Sequence, residues 1–215
     1  IKMEENYQTL FKYERNQLIK AFEKIRCQCM IVKDENELKQ YLRTVLKDQK
    51  KVAVGGSVTL SQLGIIDLIR ESDVQFIDRY EMGLSQEQVK ERLREGLLAD
   101  IFITGTNALT MDGCLYNIDG TGNRVAAMIF GPKDVYVIAG INKICANEQE
   151  AIEHIRQYSA PANALRLHKH TPCTKLGQCQ DCLSDERICS SYVKLAYQGQ
   201  KNRIHVIIIE ENIGY

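Results

Sequence analysis

The chain has 215 residues and a mass of 24.5 kDa, which suits one large domain with a sizeable core. Hydrophobic residues make up 44% and charged residues 26%, ordinary values for a globular protein that argue against disorder. Lys+Arg and Asp+Glu both total 28, so the net charge is zero and the bulk attraction that general nucleic-acid or anionic-membrane binding uses is missing.

The longest apolar runs, Val206–Ile209 and Val125–Phe130, are too short to span a bilayer. No cationic start followed by an apolar stretch marks a secretory signal, so none is expected. Tyr7, Leu10, Phe11, Leu18, Phe22 and Ile25 recur at helical spacing and predict an amphipathic helix over the first thirty residues. Asp34 with Glu37 forms a capping-box pattern that opens a second helix, with Leu38, Tyr41, Leu42 and Val45 on one face. Residues 1–48 thus read as a helical arm that packs on the main domain or on a partner subunit, the latter giving a homodimer.

From Lys51 the texture changes, and residues 49–215 read as an α/β domain. Val52–Val54 is a strand ending in Gly55-Gly56-Ser57, followed by a helix with Leu60, Leu63 and Leu68. Val74–Ile77 is a second strand, and Ser85 with Gln88 caps a helix carrying Val89, Leu93 and Leu97. Ile101–Ile103 is a third strand, ending in Thr104-Gly105-Thr106-Asn107. Asp112-Gly113 signals a hairpin turn before the strand-like Cys114, Leu115, Tyr116 and Ile118. A glycine-rich turn, Asp119–Gly122, leads into a helix through Val125–Phe130, which Gly131-Pro132 stops. Val135–Ala139 is a strand ending at Gly140, Asn147 with Glu150 caps a helix through Tyr158, and Ile204–Ile209 is a last apolar strand. Apolar strands alternating with amphipathic helices predict a mainly parallel, buried sheet flanked by helices.

Polar and glycine residues gather just after the strands. These are Gly55, Gly56, Ser57 and Thr59; then Thr104, Gly105, Thr106 and Asn107; then Gly140, Asn142 and Lys143. In open α/β sheets ligands bind outside the carboxyl ends of the strands, and glycine lets backbone approach them. The bland alternative is that tight strand-to-helix turns need glycine anyway. Asn117, Asp119, Gly120, Gly122, Asn123 and Arg124 form the densest polar constellation. A cation at the helix start opposes the helix dipole, so Arg124 is expected to face an acidic ligand or to pair with Asp119. Asp112 and Asp119 are the candidates for a general base. Gly120-Thr121-Gly122 lacks the third glycine of a dinucleotide fingerprint, and no phosphate-loop pattern occurs, which disfavours NAD and ATP chemistry.

Eight cysteines are present, four of them crowded into residues 172–190. Cys173, Cys179, Cys182 and Cys189 are spaced by five, two and six residues. The Cys179-x-x-Cys182 pair can bite one metal, and two further thiolates complete a zinc or iron–sulfur ligand set. The alternatives are free thiols or a redox-active Cys179/Cys182 pair. Cys27 and Cys29 do not face each other on a helix, Cys114 and Cys145 look like core residues, and His154, His168 and His170 read as surface side chains.

The blocks Thr104–Ala108, Asp112-Gly113, Asn117–Ala126, Gly131-Pro132-Lys133 and Gly140–Lys143 resemble the LUD-domain (lactate-utilisation) proteins, and Thr171–Cys189 resembles the tail of a short cysteine-bearing branch. The resemblance extends over about residues 5–215. It implies a fold akin to ribose-5-phosphate isomerase, glucosamine-6-phosphate deaminase and the CoA transferases, in a bacterial cytoplasmic protein. It also implies a part in lactate or hydroxy-acid use, since some members help oxidise lactate to pyruvate beside iron–sulfur protein partners; the loops at the strand ends, with Arg124 or Lys143 to neutralise charge, themselves point to an enzyme or enzyme subunit acting on a small anionic metabolite. The competing expectation is a redox accessory or assembly subunit with no catalysis of its own.

Overall fold

The computed structural model describes residues 5–215, with side chains from Thr9 onward. Its elements in chain order are α1 (Glu5–Lys24), β1 (Gln28–Val32), α2 (Glu35–Val45), β2 (Lys51–Val54), α3 (Val58–Gln62), α4 (Ile65–Arg70), β3 (Gln75–Phe76) and α5 (Gln86–Glu95). There follow β4 (Ile101–Gly105), β5 (Ala108–Thr110), β6 (Leu115–Asp119), α6 (Asn123–Ile129), β7 (Asp134–Gly140), β8 (Ile144–Cys145), α7 (Glu148–His154), α8 (Ala160–Arg166), α9 (Pro172–Leu176), β9 (Ser191–Leu195) and β10 (Ile204–Ile209).

Six parallel strands form the main sheet, in the order β1-β10-β7-β4-β2-β3. Both faces are buried, and the period of two divides the apolar residues between them. Val206, Ile208, Val135 and Val137 pack in one cluster with Leu18 and Phe22 of α1. Ile207, Ile209, Tyr136 and Ile138 pack in the other with Leu38 and Leu42 of α2. The apolar runs Val135–Ala139 of β7 and Val206–Ile209 of β10 are therefore what a two-sided core requires. A smaller sheet, β8-β5-β6-β9, lies against α7, with Tyr116, Cys145, Ala151 and Ile155 in its own cluster.

Caps form where the sequence placed them. Ser85 and Gln88 make a reciprocal capping box. Asp34 and Asn147 accept from the amides of Glu37 and Glu150, while those glutamates reach back to the amides of Lys33 and Ala146, one residue before each cap.

Three expectations are corrected. Residues 28–32, expected within a helical arm, are strand β1 and extend the main sheet beside β10. Only part of the expected apolar face of α1 is buried: Leu18 and Phe22 are, while Leu10 and Phe11 are exposed, and the side chain of Tyr7 lies outside the described residues. The helix expected to end at Tyr158 runs on through a wider turn, Ile155–Ser159, into α8. Pro161 has no N–H to give the preceding turn, a local reason for the helical ladder to change its pattern here.

Because the six strands are parallel, their carboxyl ends share one edge. The segments after β2, β4, β7 and β10 all leave the sheet there, and they carry three of the polar loops singled out above.

Candidate functional site

A cleft of about 420 Å³ opens on this edge. Gly56, Ser57, Gly105, Thr106, Asn107, Asp119, Gly120, Asn123, Arg124 and Lys143 line it, so residues expected from four separate loops meet in one cavity. Arg79, Arg166, Lys169 and Arg187 complete its wall together with Asn163, Asp185, Glu186 and Tyr215, none of which the sequence reading identified.

Arg124 organises the floor. It is 8% exposed, and all five of its N–H groups are engaged. Nε donates to Asp119 Oδ2 at 3.1 Å, one terminal nitrogen to the Gly105 carbonyl and Asn117 Oδ1, and the other to Asn107 Oδ1 and the Ile118 carbonyl. Hydrogen-bond count bears on both alternatives raised for this residue: it pairs with Asp119 and ties the segments 105–107 and 117–119 together, with no donor left for a ligand. Asp119 is equally committed, since its Oδ1 accepts the Gly122 amide at 2.9 Å. That arrangement suits a loop anchor better than a general base.

Lys143 differs. It is 3% exposed, and its Nζ donates to Thr59 Oγ1 at 3.0 Å and to the Thr106 carbonyl at 3.1 Å. An ammonium has three donors, so one remains. Among the described residues no carboxylate pairs with it; burial, and then the charge of Arg124, pull its pKa down to about 8. It is thus a buried cation at the cleft with no ion pair among the described residues.

Several expected residues serve the site from behind. Gly55 packs against Thr104 and Arg124. Thr104 is fully buried, Asn117 supports Arg124, and Gly122 is the left-handed residue (φ 81°) before α6. A Cβ on Gly140 would come within 2.6 Å of the Glu211 carbonyl, so this glycine admits the last segment of the chain rather than a ligand. Asn142 holds the same segment, accepting from the Ile213 amide at 2.9 Å and donating to the Gly214 carbonyl at 3.2 Å. Asp112 is elsewhere altogether. It is exposed in the β5–β6 turn, accepting from Thr110 Oγ1, and that turn lies against α1, where a Cβ on Gly113 would meet the Ala21 backbone at 2.7 Å. The expectation of a general base at Asp112 fails on position.

The four clustered cysteines line a second, small cavity of about 20 Å³ with Thr171, Asp181 and Tyr192. Arg187 and Ile188 line both this cavity and the large cleft. Among the described residues no three His, Cys, Asp or Glu side chains are already grouped as a metal site. Cys27 and Cys29 lie apart, and burial pushes their thiols up to about 12, so they stay protonated. His154, expected on the surface, is half-buried with an unpaired Nε2.

The loops that line the cleft were legible in the sequence because glycine, hydroxyl and amide residues cluster after strands. The cationic wall carried no such signal. Arg166, Lys169 and Arg187 come from α8 and the irregular segment beyond it, where no periodicity placed them near the sheet edge.

The family model of the LUD domain matches residues 15–209. Among solved structures, the chain is similar to a DUF162 family protein from Deinococcus radiodurans, with 16% identity and a TM-score of 0.51 over 93% of this chain and 98% of that one. A partial likeness to ribose 5-phosphate isomerase A from Methanocaldococcus jannaschii has 16% identity and a TM-score of 0.32, over 52% of this chain and 53% of that one. No curated protein matches the sequence. At such identity the likeness to the Deinococcus protein is one of fold.

Proposed function

The chain belongs to the LUD-domain family, and we propose that it binds a small anionic metabolite, a hydroxy acid or a sugar phosphate, in the cleft at the carboxyl edge of its main sheet. The observation that carries this reading is Lys143, a buried ammonium with no carboxylate partner among the described residues and one donor to spare. A buried charge is tolerated when something pairs with it, and an incoming carboxylate or phosphate would supply that pair.

The wall agrees in sign. Six cationic side chains line the cleft against three carboxylates, in a chain whose net charge is zero. Of those carboxylates, Asp119 is paired with Arg124, and Glu186 accepts from the His170 amide. Such an excess in a concave site focuses potential on an anion. The size matters too. About 420 Å³ lies within the range of metabolite pockets and exceeds what a three-carbon acid fills, which favours a phosphorylated sugar or a larger hydroxy acid. The resemblance to lactate-utilisation proteins supports hydroxy-acid use as the setting. Burial and the charge of Arg124 pull the Lys143 pKa down to about 8, which places this group where it can exchange a proton with a bound substrate.

The test is a thermal-shift and calorimetric screen of hydroxy acids and sugar phosphates, each beside an uncharged analogue of the same size. Anions are expected to raise Tm and their neutral analogues to leave it unchanged. Equal effects of both, or none from any anion, would refute the reading.

A further inference from the structure

The segment from Gly177 to Ser190 contains no helix or strand. It buries little of its own apolar surface: Leu183 is 89% exposed, and Leu176 just before it is 63% exposed. Irregular segments of this length inside a folded domain are uncommon and are usually functional or cross-linked, because hydrophobic burial cannot pay for their ordering. Yet this one holds a defined course. A handful of polar contacts hold it: the Cys179 amide donates to the Arg156 carbonyl at 3.2 Å, Arg156 pairs with Asp181 at 2.6 Å, the His170 amide donates to Glu186 at 2.7 Å, the Ser190 amide donates to the Asp119 carbonyl at 3.0 Å, and Arg187 donates to the carbonyls of Cys182 and Cys189, each at 2.7 Å.

All four cysteines of the segment and its lead-in, Cys173, Cys179, Cys182 and Cys189, turn toward the same small cavity, and none is in a disulfide. Within Cys179-x-x-Cys182 the Asp181 amide donates to Cys179 Sγ at 3.5 Å, and Asp181 takes a left-handed φ of 47°. A backbone N–H aimed at the first sulfur of such a pair supports a thiolate that is bound to a metal, and the left-handed turn folds the pair back on itself.

We propose that Cys173, Cys179, Cys182 and Cys189 together bind a single thiophilic metal ion, zinc foremost, which clips this segment onto α8 and the cleft wall. A cavity of about 20 Å³ between the four thiols has room for one atom-sized guest as it stands. The sulfurs are not yet at coordination spacing, so binding draws them inward, which a segment without helix or strand can follow. Four thiols taking up one Zn²⁺ release up to four protons to solvent, and no electron moves. Since Arg187 and Ile188 line both cavities, the clip also fixes part of the cleft wall. The metal site stands whether or not the cleft binds an anion.

The experiment is elemental analysis of the full chain purified anaerobically without chelator, together with Co²⁺ loading of the metal-stripped, reduced protein. The expected result is one zinc per chain, intense sulfur-to-cobalt charge-transfer absorption with tetrahedral ligand-field bands, and a Tm that falls by several degrees on stripping. Cys179→Ser with Cys182→Ser should abolish the cobalt spectrum, and Cys114→Ala should leave it intact. Stripping the unaltered chain keeps the question open to decision even where the double variant misfolds. Failure of the reduced protein to bind either metal, iron with acid-labile sulfide in place of a single ion, or disulfides among these four cysteines would each overturn the proposal.

Discussion

Lys143 and Arg124 lie in one cleft and are both buried cations, but their bonding assigns them opposite tasks. Lys143 has no carboxylate partner among the described residues, and its lowered pKa corresponds to a cost on the order of 3 kcal/mol for keeping the charge folded. Replacing it with Met removes that cost but leaves Thr59 Oγ1 and the Thr106 carbonyl without their donor, so the two effects should largely cancel. Lys143→Met is therefore expected to shift Tm by no more than a few degrees while weakening anion binding at least tenfold, measured by calorimetry. The pH dependence follows from the same group. Between about pH 8 and the unfolded value of 10.5, the unfolded chain holds more protons than the folded one, so this residue's contribution to stability rises with pH across that window. Anion affinity should move the other way, falling as pH rises through about 8, and calorimetry at pH about 7 and about 9.5 checks it. Arg124→Met, in contrast, strips five hydrogen bonds and leaves Asp119 buried and unpaired. A loss of about 3–5 kcal/mol in urea unfolding is expected. The sequence named both residues, but a donor count is a property of three-dimensional neighbours. Asp119 was legible as important for the same reason that it was misread as a base: sequence shows a carboxylate in a polar loop and not the partners that occupy its oxygens.

At the scale of elements, periodicity and caps found β2, β4, β7, β10 and the helices that carry a clear apolar face. It missed β1 because Gln28–Val32 directly follows α1 and shares its apolar texture, and short apolar runs do not separate strand from helix. It missed β9, whose Tyr192 and Lys194 are exposed and whose neighbours are a cysteine loop and a polar turn. An element that depends on a distant residue is α6. Its last carbonyls are capped from Arg203, which donates to Ala127 and Met128, each at 2.7 Å, and to Pro132 at 2.9 Å. A cation at a helix C-terminus also suits the dipole. Arg203→Ala is expected to cost about 2–4 kcal/mol and to speed amide exchange in Ala126–Phe130 before the rest of the sheet, as read by hydrogen-exchange mass spectrometry. Exchange that stays uniform would mean the cap contributes nothing to α6.

Across the whole molecule, the parallel sheet makes the site. Six strands running one way bring the loops after β2, β4 and β7 to one edge, and this convergence could be read from the alternation of strands and helices alone. What could not be read is the opposite wall, supplied by α8 and the cysteine segment, because their packing depends on contacts far apart in the chain. Among the described residues no helix is long and apolar enough to cross a membrane. The parallel sheet locates the cleft, and on the proposed reading its cationic lining favours an anionic guest. The most direct measurement is a crystal structure of the chain with the strongest anion from the screen. Density for its acid group within hydrogen-bonding distance of Lys143 Nζ, between Thr106 and the cationic wall, is the expected result. An anion bound away from Lys143, with the cleft holding only solvent, would contradict the account.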